Sequence, residues 1–304
     1  MEPSFKSPEA EDKTWIEKTL KNTVSSEAAF GTHFIWSEAF GVKVCNYEGI
    51  FIKKSEKSSL SYEFPRGAKS EDAFKNAMKF IFDDCKKANA KELKFTELVN
   101  SEAFELDRIF TKKFEFIPRR DKFEYVYYAQ DLASLKGKKY HSKKNHISKF
   151  SKNHDWRYVE INPKNKDKYL NFFKKWFTLK CRKKDYFDIP EYRAIQKAIE
   201  NYEFLNLSGG TIEINGKIVA CTLGEEINDK IFLIHFEKAL PEYNEAYSVI
   251  NNEFAKFLSK KYEFINREED MGIPGLRKSK LSYKPAFLVP KYEAVLKDFE
   301  NGIF

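Results

Sequence analysis

Behind Asn162-Pro163, the residues Tyr169, Phe172, Phe173, Trp176 and Phe177 return every three or four positions. That is the stripe of an amphipathic helix, its start marked by an Asn cap and a first-turn proline. A second stripe, Tyr192, Ile195, Ile199 and Tyr202, follows Pro190. The period then drops to two. Segments 205–214, 217–225 and 230–237 alternate as strands, joined by an Asn215-Gly216 hairpin turn and an Asn228-Asp229 turn. Tyr247, Ile250, Phe254, Phe257 and Leu258 restore the helical period over 243–261, and 262–266 is a short strand. Strand, helix and strand make a crossover, so 230–237 and 262–266 are predicted to run parallel beside an antiparallel meander.

The first half repeats this order. Strands at about 42–46, 49–54 and 59–64 precede a helix at 71–87 that carries Phe74, Met78, Ile81, Phe82 and Cys85 on one face. The stretch ELKFTEL is a further strand, 101–110 a helix, and FEFIPRRDKFEYVYY the last strands. A helix at 274–282 and KPAFLVPKYEAVL hold the corresponding places in the second half. The expected fold is α/β, in two units, each a mixed and mostly antiparallel sheet flanked by helices. Between them lies KGKKYHSKKNHISKFSKNH, with seven lysines and three histidines. Tyr140, His141, Lys144, Ile147 and Phe150 fit helical spacing there. The predicted division is 1–135, a basic linker helix at 136–154, and 155–304, the last being the active unit.

Charge and composition narrow the classes. In 304 residues, 54 basic side chains face 46 acidic ones, a net +8 that suits a phosphate-bearing partner without requiring one. Aromatic residues make up 16%, too many to bury for a disordered chain. Cysteines 45, 85, 181 and 221 lie far apart with no CxxC pair, and read as small buried hydrophobes in a reducing compartment. His33, His141, His146 and His154 show no metal-ligand spacing, and neither a P-loop nor a nucleophile elbow is present. The polar start MEPSFKSPEAEDK is no signal peptide, and no apolar run reaches the ~20 residues of a membrane span, so a cytoplasmic protein is expected.

The meander, long helix, parallel strand, helix and final strand resemble the GNAT acyltransferase fold. Two segments, GKKYHSKKNHISKF and INREEDMGIPGLRKSKLSYKPAFL, are similar to stand-alone relatives of the C-terminal catalytic domain of phosphatidylglycerol lysyltransferases. More distantly the chain resembles Fem-type peptidyltransferases, which take amino acids from aminoacyl-tRNA. The resemblance implies tandem GNAT-like units and an acyl- or aminoacyltransferase, with acyl-CoA or aminoacyl-tRNA as donor and an amine or hydroxyl of a small molecule or peptide as acceptor. GNAT enzymes cradle the CoA diphosphate in a glycine-bearing loop at a helix N-terminus. The corresponding loop here, 238–248, has no glycine and carries Glu242 and Glu245, with Lys238 nearby. That departure favours aminoacyl-tRNA.

Strand alternation places Ile231, Leu233, His235 and Glu237 on one face. His235 and Glu237, at the end of an apolar strand, are candidates for deprotonating an attacking group. The stretch 265–285 sorts its charge by sign: Glu268, Glu269 and Asp270 precede the Gly272–Gly275 hinge, and Arg277, Lys278 and Lys280 follow it. Ligands collect where such a segment leaves a parallel strand. The three acids are candidates for binding a substrate amine, and Arg277 with Lys280 for holding a phosphate or an oxyanion; an internal salt-bridge network is the competing reading. Lys143, Lys144 and Lys238 are the candidate donor or tRNA contacts. A non-catalytic RNA-binding protein and a degenerate acyltransferase-fold scaffold remain the rival functions.

Overall fold

The computed structural model describes residues 3–20, 24–181 and 188–303. Along the chain the described strands are β1 (Val42–Tyr47), β2 (Ile50–Ser55), β3 (Ser61–Tyr62), β4 (Lys94–Leu98), β5 (Phe114–Pro118), β6 (Glu124–Tyr128), β7 (Trp156–Glu160), β8 (Ser208–Ile214), β9 (Lys217–Asn228), β10 (Ile231–Ala239), β11 (Phe264–Asn266), β12 (Phe287–Val289) and β13 (Tyr292–Leu296). They form two mixed sheets, ordered β1-β2-β3-β4-β13-β5 and β12-β6-β11-β10-β9-β8-β7. The predicted hairpin at Asn215-Gly216 is present, both residues lying at positive φ (49° and 75°) as a tight primed turn requires. The predicted parallel pair is β10 with β11, and the helix Ala246–Leu258 makes the crossover.

The structure divides the chain elsewhere than at the predicted linker. One compact unit runs to Glu124 and takes in the chain again from Val289; the other is Tyr125–Leu288. The strand orders give the reason: β13 is hydrogen-bonded between β4 and β5 in the first sheet, and β6 next to β11 in the second. The basic segment is not a linker either. Its helix, His141–Asn153, buries Phe150 against Ile212, Val219, Val249 and Ile250, inside a core of the second unit.

In the first unit the helix Glu71–Lys87 lays Phe74, Met78, Ile81 and Cys85 on the sheet, with a Ser70 cap accepting from the Ala73 amide. In the second, Phe232 and Ile234 of β10 pack on Phe254 and Leu258. Cys45, Cys85 and Cys221 are buried and free, whereas the side chain of Cys181 lies outside the described residues. Among the described residues no helix is long and apolar enough to cross a membrane.

Because β13 is an interior strand that also brings Ala294 and Leu296 into the first core, with Phe299 and Ile303 behind it, a chain ending at residue 288 should lose that unit. Hydrogen exchange is expected to show collapse of amide protection in β1–β5 while β8–β10 stay protected. Unchanged protection of β4 and β5 would rule out this role for β13.

Candidate active site

Two clusters of side chains flank the point where β10 and β11 part. The parallel pairing ends at Leu233 and Asn266, while β11 continues along β6 through hydrogen bonds from the Arg267 amide to Tyr125 and from the Tyr125 amide to Glu268. Beyond Leu233, therefore, β10 meets the continuing segment through side chains, Glu237 with Arg267 and His235 with Glu268. At that place β10 bulges: Ile234 pairs with Gly224 and Phe236 with Leu223, leaving His235 as the extra residue. The bulge re-phases the strand. Ile234 joins the core around Phe254, and Glu237 meets Asn251 of the same helix. His235 instead meets Glu225 and Glu268. The expectation that His235 and Glu237 share a face is thus corrected, because simple alternation does not survive an inserted residue.

The first cluster is an imidazole between two carboxylates. His235, with no exposed side-chain surface, has Nε2 2.7 Å from Glu225 and Nδ1 3.3 Å from Glu268. Burial works against its charged form, but the hydrogen bonds to Glu225 and Glu268 prevail and raise it to about 9. Burial pushes the Glu268 carboxyl up to about 7 against the pull of His235, whose closer partner is Glu225. Glu268 keeps 20% of its side chain exposed, the most of the three. Its backbone sits in the left-handed region (φ 54°), fixed by the Asn266 side chain, which accepts from its amide at 2.8 Å. Strain of this kind persists only where surrounding contacts over-determine it.

The second cluster surrounds Glu237. Arg267 Nη2 donates to one carboxylate oxygen at 2.8 Å and Asn251 Nδ2 to the other at 3.3 Å. Arg267 stands over the rings of Tyr283 and Tyr127, 4.9 and 5.7 Å from their centres. Lys143 stands over Tyr283 as well, at 4.0 Å. It was expected on a nucleic-acid surface with Lys144, but its side chain turns inward with the buried face of its helix, and only Lys144 is exposed. Lys238 is not a free donor contact either, since it pairs with Glu191 at 2.7 Å and lies over Trp176.

The sorted charges of 265–285 resolve mostly into internal pairing. Asp270, fully buried, receives Arg277 through two bonds of 2.8 and 2.9 Å, the Tyr125 hydroxyl at 2.6 Å and the Gly272 amide at 2.9 Å. Burial opposes its charge, but Arg277 and Tyr125 hold the carboxyl well below the usual range. Lys280 turns inward and donates to the carbonyls of Arg267, Glu268 and Glu269. An ammonium has three protons, so none is left for an oxyanion, and burial lowers this group to about 8. Asp270, Arg277 and Lys280 are thus the clasp that shapes the loop. Glu269 contributes a carbonyl to it. A surface hollow of about 490 Å3 is lined by Pro274, Arg277, Lys278, Leu281, Ser282 and Lys284, and does not include Glu237.

Glu225, Arg267, Asn251 and Tyr283 were not among the sequence candidates. Gly224 is the signal that could have located the bulge: a β-carbon there would lie 1.9 Å from the Leu233 carbonyl, so only glycine permits that approach.

Two helix-flanked mixed sheets with a splayed parallel pair define a tandem GNAT-like fold. The chain belongs to the family described as phosphatidylglycerol lysyltransferase, C-terminal, whose model matches residues 18–295. Among solved structures it is similar to a conserved protein of unknown function from Bacteroides thetaiotaomicron, with 32% identity, 96% of this chain and 99% of that one covered, and a TM-score of 0.88. It is also similar to L-PGS from Bacillus licheniformis, with 14% identity over 96% and 93% of the two chains and a TM-score of 0.68. A tandem GNAT protein from the clavulanic acid biosynthesis pathway shares the fold at 8% identity, over 97% and 99%, with a TM-score of 0.53. Among curated proteins none matches the sequence.

Proposed function

We propose that the protein is an aminoacyltransferase in which Glu268 accepts the proton of an acceptor amine or hydroxyl. The freed lone pair attacks the carbonyl carbon of an aminoacyl ester, the ester C–O bond breaks, and Glu268 returns its proton to the departing ribose oxygen. Atoms and charge balance without a further reactant. His235 and Glu225 are positioning residues that hold Glu268 and set its proton affinity. The observation that carries this reading is the Glu268 carboxyl, raised to about 7 and partly exposed beside the parted strands, in a chain of the lysyltransferase family. A base titrating near neutrality is what proton abstraction at physiological pH requires. Phosphate binding alone would gain nothing from a buried imidazole shared by two carboxylates.

Aminoacyl-tRNA is the donor this reading favours over acyl-CoA. The loop before the helix Ala246–Leu258 has no glycine, and its Glu242 and Glu245 are paired with Lys175 and Lys149. Lys144 remains exposed on the basic helix for a phosphate contact. The test is to incubate the protein with tRNAs charged with labelled amino acids, and separately with acyl-CoAs, in the presence of amine and hydroxyl acceptors. Acceptor-dependent loss of label from tRNA is expected. Consumption of an acyl-CoA with charged tRNA left intact would overturn the donor assignment, and transfer from neither would overturn the activity.

A further inference from the structure

One side of the helix Pro274–Ser282, in the second unit, turns Lys280 onto the loop carbonyls. The other side is open to solvent. There Pro274, Arg277, Lys278 and Leu281 recur at steps of three and four residues, and with Lys284 they line the hollow of about 490 Å3. Large aliphatic side chains stand uncovered along this stripe. Leu281 is 42% exposed, and on the loop leading into the helix Met271 is 60% and Ile273 48% exposed. Scattered singly, such residues need no explanation, but three on one loop and the short helix behind it mark a surface that something covers.

The charge around them has one sign. From Met271 to Leu288 the sequence contains no acidic residue. Arg277 is neutralised by Asp270. Lys278 and Lys284 are exposed, and neither has an acidic partner among the described residues.

That combination selects the occupant. A single-stranded nucleic acid stacks its bases on aromatic rings, and this stripe presents Met, Ile, Pro and Leu. A second copy docking through the same face would set lysine against lysine. An anionic bilayer meets both features: aliphatic side chains enter the boundary between headgroups and acyl chains, and lysines hold the anionic headgroups. We infer that Met271, Ile273, Lys278, Leu281 and Lys284 form a docking surface for the face of an anionic phospholipid bilayer. The hollow between Leu281 and Lys284 receives a headgroup. Docking of this kind is peripheral, and it does not depend on the function proposed above.

The experiment is flotation of the full chain with vesicles of phosphatidylcholine alone, and of phosphatidylcholine mixed equally with phosphatidylserine or with phosphatidylglycerol. Comparable binding to both anionic mixtures is expected, weakening with added salt, and little binding to phosphatidylcholine. Lys278→Glu with Lys284→Glu should weaken it by on the order of 30-fold or more. Met271→Ser with Ile273→Ser should weaken it by roughly tenfold, and both variants should keep the melting temperature. Lys69→Glu with Lys91→Glu changes the net charge equally on exposed lysines of the first unit, and should leave binding within about twofold. An equal loss there would mean general attraction of a chain of charge +8, and the inference fails. It also fails if neither anionic mixture binds, or if only the phosphatidylglycerol mixture does, which is capture of one headgroup. A tRNA affinity that falls with the Lys278 and Lys284 changes while vesicle binding persists would give the face to nucleic acid. A dimer dissolved by Ile273→Ser would give it to a second copy, and either result overturns the bilayer. Transfer that fails with vesicle binding intact counts against the proposed function alone. Vesicle binding that fails with transfer to a soluble acceptor intact counts against this surface alone.

Discussion

Glu268→Gln is expected to lower the transfer rate by roughly 10²–10⁴-fold and to remove the neutral-pH limb of the rate profile. The direction follows from the environment. Glu268 must be ionised to take a proton, and burial holds it at about 7 despite His235. In the unaltered protein kcat/KM should therefore climb as pH rises through about 7. His235, raised to about 9 by its two carboxylates in spite of burial, remains the imidazolium up to that pH, so activity should decline only beyond it. Because the two groups share a hydrogen bond, both limbs belong to the pair. Gln keeps the size and the hydrogen bond but cannot accept the proton, so the lower limb vanishes with the rate. Glu225→Gln acts indirectly: it removes the nearer carboxylate, at 2.7 Å, and should move the upper limb toward neutrality with a smaller loss in kcat. A Glu268→Gln enzyme that keeps its rate and its lower limb would eliminate Glu268 as the base.

How much of this was visible in the residues depends on what carried each feature. Helices such as Glu71–Lys87 and Pro190–Glu200 were legible because long apolar stripes leave one solution. The parallel β10–β11 pair was legible because a helix of several turns between two strands forces a crossover. The placing of β6 and β13 was not. The aromatic, apolar run FEYVYY shows that a strand exists, but not which sheet receives it. Boundaries drawn by chain order therefore missed a unit assembled from both ends of the chain.

At the candidate site, the residues were legible and their pairings were not. His235, Glu237 and Glu268 all lie at the parted strands. The one-residue bulge at His235 separated the first two, and only the tight passage of Gly224 hinted at it. Charge sorted along the sequence looked like two sides of a cleft. In three dimensions the short helix Pro274–Ser282 turns Lys280 onto the carbonyls of the preceding loop and Arg277 onto Asp270. Opposite charges a hinge apart attract each other before they attract a ligand.

In the first unit, Lys291→Met is expected to produce the largest loss of stability, on the order of 3–5 kcal/mol, and a fall of roughly 10 °C or more in its melting transition. Lys291 is 1% exposed and lies 2.8 Å from Glu124, with Glu27 and the Ser25 hydroxyl also on its ammonium and Glu97 at 3.7 Å. Glu27 and Glu124 are themselves buried. Removing the cation takes from two buried carboxylates the ammonium they share, which is far costlier than losing a surface pair. The pH dependence identifies the cause. Burial pushes the Glu27 carboxyl up, but Lys291 outweighs it and holds the group well below its ordinary 4.5. A depressed carboxylate contributes stability that is present above 4.5 and lost as pH falls below it. Burial lowers Lys291, yet Glu124 and Glu27 raise it well above 10.5, so its share is complete below 10.5 and lost only at higher pH. Between these limits the native cluster is at full strength, and the protein should weaken as pH drops from 5 toward 3. In Lys291→Met the slope should reverse near neutrality, because orphaned buried carboxylates are relieved by taking up protons. Denaturant titrations at pH 5 and 7 measure this directly: the variant should be more stable at pH 5. A variant that loses less than about 1 kcal/mol, or that follows the same pH slope as the native chain, would show that the cluster is not a coupled ion network.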